Sequence, residues 1–182
     1  MNRTRCRWCN SSNHLYIAYH DTEWGVGQHD DRMLFELLVL ESFQAGLSWE
    51  IVLNKRENFR KAFDGFVPSV ISDYDESKIQ SLMEDPTIIR NRKKICAAIN
   101  NAAIFLDIQQ QWGNFRSYIW HFTNGKTVYE TGNTRSWLSD MISSDLKQHG
   151  MKFVGSTIVY SYLQAIGVIY SHDQDCFLYR RE

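Results

Sequence analysis

The chain of 182 residues holds only 2 prolines and 10 glycines, too few for collagen-like repeats, disordered linkers or a turn-rich sandwich. Long apolar runs are missing too. The purely apolar stretches extend over a few residues, whereas a membrane-crossing helix needs about 20, so no membrane partner is expected. Nor is there an excess of charge of one sign. With 20 basic and 21 acidic residues the formal net charge is −1, which argues against a global basic field for nucleic acid and leaves room for a local basic patch. The opening stretch Met1-Asn2-Arg3-Thr4-Arg5-Cys6-Arg7-Trp8 lacks the apolar core of a secretory signal, which predicts a cytoplasmic protein with reduced thiols. Internal repeats are absent.

Aromatic residues, by contrast, are plentiful at 14%, with 6 Trp and 9 Tyr. Most such rings fill a core, and a surplus leaves some to stack on a flat ligand. Apolar residues recur at helical spacing over 30–46 (Leu34, Leu37, Leu38, Ala45), 48–63, 77–84, 91–111, 114–122, 134–149 and 156–169. Period-two alternation is nearly absent, and 123–133 reads as a loop. These patterns predict an all-α fold and a single domain over 1–182.

Cys6 and His20 lie near one end, and His172 and Cys176 near the other. The last two sit four apart, a spacing at which side chains on a helical turn share one ion. Two thiolates and two imidazoles would close a structural zinc site, one per chain, joining the terminal segments. Equally, such a pair arises by chance and stays exposed, and Cys9 offers an alternative ligand through Cys6-x-x-Cys9. Cys96, on the apolar side of its helix, reads as a small core residue.

Glu41 falls three, four and seven residues after Leu38, Leu37 and Leu34, on the apolar stripe. A carboxylate there must be paired, hydrogen-bonded or protonated. It is therefore either one end of an ion pair between helices or a group lining a pocket. Trp8, Tyr16, Tyr19, Trp24 and Trp49 lie close by in sequence or by the helical turn, and rings around a buried carboxylate suit a flat, cationic ring. Between two helical patterns, Arg90, Arg92, Lys93 and Lys94 place four cations in five positions; these form either a solvated turn or a phosphate clamp at a helix start. Lys55, Arg56, Arg60 and Lys61 make a second basic zone or an exposed helix face.

Several ordered segments carry a resemblance. Leu15-Tyr16-Ile17-Ala18-Tyr19-His20-Asp21-x-Glu23-Trp24-Gly25, Leu40-Glu41-x-x-Gln44-Ala45-Gly46-Leu47-Ser48-Trp49, Lys55-Arg56-Glu57-Asn58, Lys152-Phe153-Val154-Gly155 and His172-x-x-x-Cys176 closely resemble the 3-methyladenine DNA glycosylase I family. The resemblance implies a compact all-α helix–hairpin–helix glycosylase fold whose structural zinc, held by Cys6, His20, His172 and Cys176, joins the N- and C-terminal segments. It also implies hydrolytic excision of N3-methyladenine from alkylated double-stranded DNA, leaving an abasic site. By motif position, Glu41 accepts hydrogen bonds from the flipped base, Tyr19 and Trp49 frame the ring, and Tyr16 and Trp8 complete the box. Leu47, after Gly46, becomes the wedge, and the hairpin over 87–95 brings Arg90, Arg92, Lys93 and Lys94 to phosphate. Two other readings are a non-catalytic DNA-binding module and a zinc hydrolase. No long exposed apolar stripe demands a second copy, so a monomer is expected.

Overall fold

The computed structural model describes residues 3–180; the outermost positions of the 1–182 span lie outside the described residues. Among the described residues ten α-helices follow one another: α1 (His14–Thr22), α2 (Asp31–Gln44), α3 (Trp49–Asn54), α4 (Arg56–Ala62), α5 (Pro68–Ile71), α6 (Glu76–Glu84), α7 (Arg92–Trp112), α8 (Phe115–His121), α9 (Trp137–Gln148) and α10 (Ser156–Ala165). A 3₁₀ turn, Asp64–Phe66, links α4 to α5. None of these helices is long and apolar enough to cross a membrane.

α2 is the axis of the molecule. Asp30 caps it by accepting from the Met33 amide, and every residue from Leu34 to Phe43 is buried, the charged ones included. A helix buried all round must be packed on all sides, and α3, α7, α8 and α10 supply that packing. Asp31, in its first turn, reaches across to accept from Gln109 Nε2 at 2.6 Å and from the Phe115 and Arg116 amides at 2.8 and 2.9 Å. The start of α8 is thereby fastened to the start of α2. Beneath this joint Phe105 stacks on Phe115 with centroids 4.0 Å apart, and Phe35 meets Phe105 edge-on at 5.0 Å.

The helical expectation holds, with local corrections. α1 buries Tyr16, Tyr19 and His20 while its Leu15 is exposed, so aliphatic spacing does not announce it; Asn13 caps it, accepting from the amides of Leu15 and Tyr16. The run over 48–63 is two helices, because Lys55 sits at φ −100°, ψ 0° and breaks the ladder between α3 and α4. α9 begins at Trp137, where Ser136 and Ser139 cap each other's backbone. The run over 156–169 ends as a helix at Ala165, and Gly167 then turns with φ +73°. A Cβ at Gly167 would come within 2.4–2.6 Å of Val26 and Gly27 backbone atoms, so glycine permits this close crossing. Beyond it β2 (Ile169–Tyr170) pairs in parallel with β1 (Val128–Tyr129), Val128 opposite Ile169. Two-residue strands are too short to leave a periodic signature. Cys96 corrects another expectation: it is exposed rather than core.

Candidate functional site

A cavity of about 390 Å³ opens between the start of the chain, α1, the end of α2 and α10, within the size range of small-ligand sites. Its wall is aromatic: Trp8, Tyr16, Tyr19, Trp24 and Trp49. Trp8 packs against Tyr16 at 5.3 Å and edge-on to Trp24 at 4.7 Å, while Tyr19 and Trp49 meet at 5.2 Å. Spacing along α1 brings Tyr16 and Tyr19 to one face, and Ser48, capping α3 through the Ile51 amide, sets Trp49 at the helix start. Burial pushes the Tyr16 hydroxyl up to about 12 and that of Tyr19 well above its ordinary value, so both rings stay neutral.

Glu41 lines the same cavity from α2. It is 3% exposed, its Oε2 has no hydrogen-bond partner among the described residues, and burial alone drives its pKa up to about 8. Trp49 Nε1 is likewise buried and unpartnered. One acceptor and one donor are thus left without partners around a ring-lined cavity, at positions where buried polar groups are ordinarily satisfied. Gln44, Ser161, Gln164, Ser171, Asp173 and Asn133 complete the wall. Of these, Gln44 falls within the sequence segment around Glu41; the others come from α10, the loop after β1 and the chain after β2, and nothing in their local sequence signals a site.

Behind the aromatic wall lie Cys6, His20, His172 and Cys176, all buried, with one ligand atom from each within 4.8 Å of the others. Cys6 Sγ is 3.3 Å from His172 Nδ1, and Cys176 Sγ is 3.5 Å from His20 Nε2 and 3.6 Å from His172 Nδ1. Around a tetrahedral ion with bonds of about 2.0–2.3 Å, neighbouring ligand atoms lie about 3.3–3.8 Å apart, so these four fit one metal ion. Burial holds the His172 imidazole down at about 4, with the nearby His20 adding to the effect, and raises the Cys6 thiol; the imidazole is neutral, as a ligand must be. Asp21 Oδ1 lies 2.8 Å from His20 Nδ1 and also accepts from Arg5 Nε at 2.8 Å, fixing the ring's orientation from outside. Cys9 is absent from the cluster; its thiol points to the Tyr16 carbonyl at 3.7 Å. The cluster and the cavity share a wall, for Trp8 packs on His20 at 5.2 Å and Trp24 on His172 at 4.7 Å.

Two protruding loops flank this centre. Between α2 and α3, Gly46 turns at φ +81° and Leu47 stands 37% exposed. Between α6 and α7, residues 85–91 form the hairpin, with Asn91 capping α7 through the Lys94 amide. The four cations there have different fates. Arg90 and Lys93 are exposed, and Arg92, also exposed, pairs with Glu76. Lys94, expected at phosphate, is instead 7% exposed and turned inward, its Nζ donating to the Phe43 and Ala45 carbonyls at 2.7 Å each. In the second basic zone Arg56 is buried as well, held bidentately by Glu23 at 2.7 Å and by Glu36.

A helical body carrying a hairpin, a protruding apolar turn and an aromatic cavity over a buried carboxylate has the parts of a DNA glycosylase. Comparison with known proteins narrows this. Residues 8–179 match the family model described as methyladenine glycosylase. The chain is 43% identical to DNA-3-methyladenine glycosylase 1 of Escherichia coli K12, covering 96% of each chain. It is 37% identical to DNA-3-methyladenine glycosylase of Haemophilus influenzae, covering 95% of this chain and 96% of the other. The solved structure of 3-methyladenine DNA glycosylase I from Staphylococcus aureus superposes with a TM-score of 0.92 at 35% identity, covering 98% of this chain and all of that one. The chain belongs to the methyladenine glycosylase family.

Proposed function

We infer that this protein is a DNA-3-methyladenine glycosylase that excises 3-methyladenine from alkylated duplex DNA in base excision repair. The observation that carries the reading is Glu41: a carboxyl with an unpartnered oxygen, buried in a ring-walled cavity, in a chain of this family. Methylation at N3 makes the purine cationic and its glycosidic bond weak, so the base departs without a strong acid. An electron-poor cation is held by aromatic faces and by a carboxylate. Burial raises the Glu41 pKa to about 8; a cationic ring beside it favours the ionised form. Water completes the displacement at the sugar, leaving an abasic site. A base within a duplex must first be extruded, and Leu47, on its glycine turn, is the wedge that fills the gap. Arg90 and Lys93, with Arg92 once it leaves Glu76, face phosphate beside the hairpin. Tyr16, Tyr19, Trp8 and Trp49 are the base-binding rings.

The metal we assign is zinc, one per chain, on the strength of two thiolates and two imidazoles at tetrahedral spacing. Bound there, it supplies a cross-link between the two terminal segments. Four protein ligands leave no open position for chemistry, which sets the hydrolase reading aside. The carboxyl inside the cavity likewise sets aside a module that only binds DNA, since binding alone gives no use for a buried acid facing a polyanion. We place the activity in one domain spanning the chain, acting as a monomer in the cytoplasm. Incubation of the purified protein with methylated duplex and chromatography of the liberated bases tests the reading: free 3-methyladenine without strand cleavage is expected, and no released base from folded, zinc-loaded protein overturns it.

A further inference from the structure

The inward turn of Lys94 removes a cation from the DNA-facing hairpin, and its position explains what the cation does instead. Its Nζ donates to the carbonyls of Phe43 and Ala45, both at 2.7 Å. These are oxygens at the C-terminal end of α2, where the helix ladder leaves acceptors unpaired and where a positive charge is favoured. The carbonyl between them, that of Gln44, accepts from the Leu47 amide at 2.7 Å. The turn that presents Leu47 is therefore built on three consecutive carbonyls, two bound by Lys94 and one by Leu47 itself. A Cβ at Gly46 would meet nothing within 4 Å. On its own side, Lys94 belongs to the first turn of α7, directly after the 85–91 hairpin, and its amide is capped by Asn91. Among the described residues both partners of its ammonium are main-chain oxygens. Burying a charge without a carboxylate is costly, and two carbonyls at a helix C-terminus offset that cost here.

Resting on the glycosylase reading above, we propose that Lys94 is a positioning residue that couples the hairpin to the Gly46–Leu47 turn, so that seating of the hairpin on phosphate and insertion of Leu47 occur in register. Glu41 lies on α2 two and four residues before the carbonyls Lys94 holds, and Gln44 and Trp49 of the cavity wall stand on either side of the turn; the role assigned to Lys94 concerns the tip of the turn and not the base-binding rings.

The test compares wild type, Lys94→Met, Leu47→Ala and the double variant. Wild type must first release 3-methyladenine from methylated duplex; if it does not, the glycosylase reading fails and not this coupling. Given that activity, Lys94→Met is expected to slow release from duplex about tenfold or more while affinity for free 3-methyladenine, read by tryptophan fluorescence, stays within about twofold. The double variant should lose little beyond the worse single variant, since both act on one event. If Lys94→Met fails to fold, Lys94→Gln carries the same expectation. Duplex activity equal to wild type, an equal loss of free-base affinity, or losses that multiply in the double variant would overturn the proposal.

Discussion

Helix α2 buries two carboxylates five residues apart, Glu36 and Glu41, each 3% exposed, and treats them in opposite ways. Glu36 is saturated. Arg56 donates to it, and Arg60 donates from Nε at 3.0 Å and from Nη2 at 2.8 Å, while Arg56 also forks onto Glu23. Burial works against the Arg56 charge, yet the carboxylates of Glu23 and Glu36 lift its pKa above the ordinary value. Burial alone acts on Glu41, and among the described residues its Oε2 has no partner. Equal burial on one helix thus yields a closed ionic network that fixes α2 to α4 and an open valence that faces a cavity. A buried acid is a sign of function when its compensation is missing, and a sign of architecture when it is complete.

The comparison can be broken from either side. The largest effect belongs to the closed network: Arg56→Met leaves Glu23 and Glu36 short of a partner and should cost about 3–5 kcal/mol in urea unfolding. Next comes the open site, where the sign is reversed. The folded-state pKa of Glu41, about 8, is raised above its ordinary 4.5; the stability it contributes is present below the unfolded value and is lost as pH rises through the folded one. Unfolding measured between pH 4.5 and pH 8 should therefore show a loss on the order of 3 kcal/mol that Glu41→Gln abolishes. The variant should be the more stable protein at pH 8.

Smaller effects sharpen the picture. Cys176→Ser should lose the zinc by elemental analysis and lower Tm by roughly 5–10 °C, as about 2–3 kcal/mol does in a chain of this size. Because Trp8 packs on His20, free-base affinity should fall with it, while the Arg56 network stays intact. Smallest of all, Glu57→Gln removes only a partner of Arg60 that is itself 72% exposed, and should change stability by less than about 0.5 kcal/mol.

How far sequence patterns reach is visible along the same helix. Glu41 is legible because it falls on the leucine stripe. Glu36 is not, because stripe reading presumes a helix with a solvent face, and α2 has none from Leu34 to Phe43. A charge run is similarly ambiguous: Arg90 and Lys93 are exposed, Arg92 is ion-paired, and Lys94 is buried, a sorting made by the neighbouring carbonyls of α2 rather than by local sequence. Spacing alone leaves the four metal ligands as one option among several, since the segments that bring Cys6 to His172 are 166 residues apart; the family motifs point to the set that the fold assembles. Ser161 and Gln164 on α10 reach the cavity through tertiary packing alone.

The most direct test of the central claim, that Glu41 is left unpaired for the base, is release of 3-methyladenine by Glu41→Gln set beside its binding to abasic duplex. Release should fall about 100-fold or more, in keeping with removal of one charge-stabilising group, with abasic-DNA affinity nearly unchanged. Release at the wild-type rate from the folded variant would contradict that claim.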